Sequence, residues 1–101
     1  MTGNGMSLEE ATRQLEIQRN LLGGVDDSIV RALADRERLV REIGVLKSEH
    51  DIGRFDPSRE SLVFKVVEGL ATQYSNTTEF PSLIREVFAL AVSYSHFVQR
   101  D

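Results

Sequence analysis

Apolar residues recur at Leu8, Ala11, Leu15, Leu22, Val25, Ile29, Leu33, Val40, Ile43 and Leu46, in steps of three, four and seven. That spacing keeps them on one face of an α-helix. Charged residues such as Arg13, Glu16, Asp27, Asp35, Arg38 and Glu42 fall on the rest of its circumference. Ser7, followed by Glu9 and Glu10, offers a capping hydroxyl and acids for a first turn. The pattern therefore predicts one helix from about Ser7 to about His50. Asp56-Pro57 marks a second start, an N-cap with proline at the first helical position. Its buried stripe is expected from Leu62, Val63, Val66, Val67 and Leu70, fading by Tyr74 into a Ser75-Asn76-Thr77 loop. A third helix should begin near Thr78, carry Pro81 in its first turn and bury Leu83, Ile84, Val87, Phe88, Ala91 and Val92. No run alternates with period two over more than a few residues, so strands are not expected.

The fold class is thus all-α, three helices per chain with a very long first one. At ~1.5 Å per residue that helix would be ~65 Å long, about twice the diameter of a small domain. The rest of so short a chain cannot cover such a stripe. A second copy is the simplest cover, which predicts an obligate, intertwined helical homodimer. Gly23-Gly24 is the weak point, since two interior glycines cost roughly 2 kcal/mol relative to alanine. The pair either breaks the helix in two or lets another helix approach closely. The seven-residue register Leu15, Leu22, Ile29 continues across it.

Composition narrows the functional classes. The chain has 101 residues, 41% hydrophobic and 28% charged, which fits one globular domain over residues 7–101 after a disordered start at 1–6. There are no cysteines and two histidines, His50 and His96. Thiol chemistry is excluded and a multi-histidine metal site is not expected; no cofactor is expected. A net charge of −4 argues against nucleic acid as a partner. No apolar run approaches the ~20 residues of a membrane span, and the opening MTGNGMS is unlike a signal peptide. A soluble cytoplasmic protein without nucleic-acid or membrane partners is expected. The positive charge is carried by ten arginines against two lysines. Arginine suits planar anions gripped by two donors.

Candidate chemistry lies where polar residues interrupt an apolar face. Arg36 follows Leu33 by three and precedes Val40 by four; Lys47 follows Ile43 by four. Eleven residues, about three turns, separate the two cations, so they share a face with Cα atoms ~16 Å apart. A buried cation needs an anion: Glu60, Asp56, or the carboxylate of a ligand. On the third helix Ser95 lies seven after Phe88 and Gln99 seven after Val92, continuing the apolar face as hydrogen-bonding groups. A serine there can also simply bond its own helix backbone. Arg19, ~25 Å before Arg36 along the helix, could reach the same ligand only from the other copy of a dimer of antiparallel helices.

Taken in order, these residues resemble the all-helical class of chorismate mutases, from about Leu15 to Gln99. The matching segments are Arg19 with Asp26, the Leu33–Arg36 run, Gly44 with Lys47, Asp56 with Arg59-Glu60, and Ser95 with Gln99. The resemblance implies that Arg19 of one subunit, with Arg36 and Lys47 of the other, grips the two carboxylates of a chorismate-like dianion. It implies that Lys47 and Gln99 hydrogen-bond the ether oxygen of the breaking C–O bond. It gives Glu60, with the Asp56 backbone, the polar group at ring carbon 4, has Ser95 help seat a carboxylate, and has Arg59 support the site. The catalytic set is then Lys47, Gln99 and Arg36, with no cofactor and no metal. A partner enzyme of the shikimate pathway is also implied.

Two positions depart from that pattern. Gly23-Gly24 stands where larger helix formers are expected, one turn from Arg19. His96 puts a titratable ring where an apolar side chain is expected; alternatively it points outward or bonds the backbone. Rearrangement of chorismate to prephenate is the leading expectation. Mutase action on 4-amino-4-deoxychorismate, isochorismate pyruvate lysis and a non-enzymatic helical dimerisation module are the alternatives.

Overall fold

The computed structural model describes residues 5–53 and 55–100. Residues 1–4, most of the expected disordered start, and Asp101 lie outside the described residues. Three helices make up the fold, α1 (Leu8–Glu49), α2 (Pro57–Tyr74) and α3 (Phe80–Arg100). No strand occurs among the described residues.

Each boundary has a local cause. The Glu10 N–H donates to Ser7 Oγ at 3.1 Å, and the Ala11 N–H to the Ser7 carbonyl at 2.9 Å. Ser7 with Glu10 is the serine-x-x-glutamate start of a helix, and Ser7 satisfies a first-turn donor that has no helical partner. At the other end Ile52 N–H donates to the Lys47 carbonyl at 2.7 Å and Asp51 N–H to that of Ser48 at 3.4 Å. This is the Schellman pattern of helix termination, with Asp51 at φ 56° in its left-handed position. Asp56 caps α2 by accepting from Arg59 N–H at 3.1 Å, and Pro57 follows in the first turn. The third helix starts at Phe80, two residues later than Thr78. Ser75 Oγ accepts from Thr77 N–H at 3.3 Å and bonds Thr77 Oγ1 at 3.1 Å. Those local bonds give the linker an alternative to the helical ladder.

The chain divides into two compact units, Met1–Arg36 and Glu37–Asp101. The first is the N-terminal part of α1, and Gly23-Gly24 lies within unbroken helix, so the pair does not split it. Its apolar residues are exposed: Leu15, Leu22, Val25 and Ile29 each keep more than half of their surface. In the second unit α2 packs against α3. The five-residue linker between them favours antiparallel neighbours. Buried here are Val40, Val67, Ala71, Val92, Ser95 and Val98. The α2 seam is thus Val67 and Ala71 with Val63 half-buried, whereas Leu62, Val66 and Leu70 of the expected stripe are exposed. On α3 the seam runs later than expected, through Val92, Ser95 and Val98, with Leu83 and Val87 exposed. Small residues meet at the seam, and the larger ones beside it stay uncovered within one chain. The Tyr94 hydroxyl donates to the Glu37 carboxylate, and Arg85 pairs with Glu68 across α2 and α3.

Candidate active site

Lys47 stands in the last turn of α1, and its carbonyl is the acceptor that closes the Schellman pattern. The turn that ends α1 is therefore anchored on this residue. The side chain is half-buried. Gln99 stands in the last turn of α3. The two line one open cleft of about 580 Å³, together with Arg41, Gly44, Ser48, Ile52 and Val98. Gly44 lies close under Gln99: a Cβ there would lie 3.4 Å from Gln99 Cγ. Gln99 Oε1 is buried and, among the described residues, has no hydrogen-bond partner. An unsatisfied buried acceptor costs about 1–3 kcal/mol. A valine or leucine would serve the seam better, so packing alone does not account for the amide.

A second cluster surrounds the start of α2. Asp56, Arg59 and Glu60 occupy its cap and first turn, with Glu60 N–H donating to the Asp56 carbonyl at 3.0 Å. The Asp56 carboxylate is used in capping. Glu60 Oε2 lies 2.5 Å from His96 Nε2. His96 is half-buried, and its ring packs on Phe55 with centroids 4.6 Å apart at 58°. The imidazole therefore neither points outward nor bonds the backbone; it is paired with an acid from another helix. Ser95 is buried and donates to the Ala91 carbonyl at 2.8 Å, the backbone bond open to a helical serine.

The remaining candidates belong to the first unit. Arg36 is its last residue and is half-buried, and loss of hydration holds its guanidinium below the ordinary arginine range. The direction follows from burial, which penalises the charged form. Arg19 is exposed, as is Arg59 in the second unit. So Lys47 and Gln99 share a cleft, Glu60 meets His96, and Asp56, Arg59 and Glu60 share one turn.

Sequence reasoning passed over Arg41. It lies in the same cleft and 3.9 Å from Glu37 Oε1. The available signal was the spacing Arg41, Gly44, Ser48, which lines up on one helical face. No group of histidine and acidic residues that could hold a metal ion occurs among the described residues. No helix among them is long and apolar enough to cross a membrane.

Residues 18–100 match the model of a family described as chorismate mutase type II. The chain belongs to that family. The match takes in Arg19, Gln99 and every candidate between them. Comparisons with curated proteins and with solved structures returned no match. Family membership makes the chain an isomerase with chorismate mutase activity, chorismate being the substrate that the family implies. The three-helix, all-α architecture with its long first helix agrees with the expected fold.

Proposed function

We propose that this chain converts chorismate to prephenate by a [3,3] rearrangement, at a site centred on Lys47 and Gln99. The observation that carries the reading is the cleft shared by these two residues, the ammonium of Lys47 and the amide of Gln99 both lining it. In the reaction the ether C–O bond breaks while a C–C bond forms between the enolpyruvyl methylene and the ring. The double bonds shift, no proton moves, and no nucleophile, metal or redox group is required. The protein's task is to hold a flexible dianion in a compact, chair-like form and to place donors where charge develops. The ether oxygen grows more negative as its bond stretches. An ammonium from Lys47 and a neutral amide from Gln99 stabilise it more in the transition state than in the ground state.

Arg36 and Lys47 hold the substrate carboxylates, together with the partner subunit's Arg19. Partial dehydration of Arg36 suits this role, because a poorly hydrated guanidinium gains more from a carboxylate. Ser95 helps seat a carboxylate and Arg59 supports the site. Glu60, with the Asp56 backbone, receives the polar group at ring carbon 4. The working form is an intertwined homodimer in the cytoplasm, its interface made by the exposed apolar stripe of α1. Leu15, Leu22 and Ile29, at 51%, 58% and 51% exposure, are the residues a second copy would cover.

The test is a comparison of kcat/KM on purified chorismate, 4-amino-4-deoxychorismate and isochorismate, with products identified by NMR. Chorismate should be preferred and prephenate formed. A higher kcat/KM on either other substrate sinks the assignment. Lys47→Ala should abolish turnover while the protein stays a helical dimer; full turnover in that variant removes Lys47 from the mechanism.

A further inference from the structure

We propose that His96 is a positioning residue for Glu60, and that through Glu60 it sets the preference for a hydroxyl over an ammonium at ring carbon 4. This rests on Glu60 being the acceptor for that substituent. The juxtaposition joins two helices: Glu60 in the first turn of α2 and His96 near the end of α3, 2.5 Å apart at Oε2 and Nε2. In this proposal Glu60 is the acceptor of the contact, which places the hydrogen on Nε2. Phe55, in the segment before α2, packs on the same ring at 4.6 Å. The imidazole is therefore held from two sides, and it holds the carboxylate in turn. Among the described residues no other side chain bonds to Glu60. Without His96 the glutamate would be a rotatable side chain in a site where placement matters. With it, one oxygen is committed, and Oε1 is left to accept from a ligand. The Glu60 side chain is one-third exposed, so it is not sealed from a ligand.

The bond also changes what Glu60 prefers. An N–H donated to one carboxylate oxygen draws off part of its negative charge. A hydroxyl needs a well-placed acceptor and little net charge. An ammonium draws most of its binding from the net charge. The tether therefore favours the hydroxyl twice, by placement and by damping the field an ammonium would use.

The experiment compares wild type, His96→Gln and His96→Leu on three compounds: chorismate, 4-amino-4-deoxychorismate and an analogue with hydrogen at ring carbon 4. Leucine keeps the apolar contact to Phe55, and glutamine keeps an N–H donor. Far-UV circular dichroism and light scattering confirm the folded state of each variant. His96→Leu should lower kcat/KM on chorismate about tenfold, the scale of a hydrogen bond to a charged group. It should lower the value for the 4-amino compound less, and leave the 4-hydrogen analogue within twofold. His96→Gln should recover chorismate turnover to within threefold of wild type. An equal loss on all three compounds indicates packing only and overturns the proposal. So does an unchanged chorismate rate in His96→Leu, or a glutamine variant as poor as the leucine one. A readout without turnover is the imidazole ¹⁵N spectrum of the resting protein. It should report a protonated Nε2 that shifts in Glu60→Ala, and an unmoved signal overturns the pairing. Failure of wild type to form prephenate, with the imidazole signal as expected, rejects the substrate reading but leaves the pairing intact.

Discussion

The two units of this chain carry the same kind of apolar spacing and do opposite things with it. From Leu8 to Leu33 the stripe recurs in steps of three, four and seven, yet Leu22 keeps 58% of its surface and Ile29 51%. In the second unit the same periodicity on α2 and α3 brings Ala71 and Val98 to 2%. The difference is the short Ser75–Glu79 linker, which returns α3 along α2. A stripe is thus a demand for cover, and chain connectivity decides where the cover comes from. Exposed apolar rows of this length on a small protein mark an interaction surface.

The comparison can be broken from either side. Charging the first unit's stripe with Leu22→Asp and Ile29→Asp together should have the largest effect. Light scattering should read a monomer of 11.4 kDa, and turnover should vanish, because in the proposed dimer the partner subunit's Arg19 completes the site. A stable, active dimer from this variant would mean that the stripe serves something else. Next comes the second unit's cleft. Gln99→Ala should lower kcat by about 10²–10³, the range for losing one transition-state donor, with dimer mass unchanged. Gln99 itself should contribute no pH dependence between pH 6 and 8, since an amide donates without protonation. Gln99→Glu should fall steadily as pH rises above the ordinary carboxyl range near ~4.3, because only the protonated acid donates. A flat profile in that variant would remove the donor role.

Smaller effects sharpen the contrast between the units. Val98→Ala, in the buried seam, should cost about 2 kcal/mol in a urea titration, both in the wild-type background and in the charged-stripe variant. Val25→Ala, on the exposed stripe, should cost stability only where a second copy covers it, so its effect should vanish in the charged-stripe variant. Identical behaviour of the two would contradict the division. Smallest is Asp51→Gly. It relieves a left-handed conformation and removes an acid from the negative end of α1, and should raise stability by about 0.5 kcal/mol in thermal melts. A fall would mean that the aspartate side chain contributes beyond the turn.

Much of the architecture was legible in the chain. The three helices, the Ser7 and Asp56 caps, and the continuity of α1 across Gly23-Gly24 followed from local chemistry: capping oxygens, proline at a first turn, and an unbroken seven-residue register. Which apolar residues would be buried was less legible. Leu62, Val66 and Leu70 satisfy the spacing as well as Val67 and Ala71, and periodicity defines a face without saying what lies against it. The site divides in the same way. Lys47 and Gln99 stood out as polar residues on apolar faces. Arg41 did not, because it interrupts nothing along its own helix and becomes part of the cleft only where α3 arrives. His96 was visible as a misfit, but its partner was not, since Glu60 is thirty-six positions away and no local rule links them.

The sequence by itself determined what neighbours a few residues apart can settle: helix type, helix ends, and the residues whose polarity contradicts their face. Tertiary structure alone decided the narrow Val67–Ala71–Val98 seam, the approach of Gln99 over Gly44, and the grip of His96 on Glu60. Those contacts join residues far apart along the chain. Their formation depends on the packing of whole helices, which no spacing within one helix encodes.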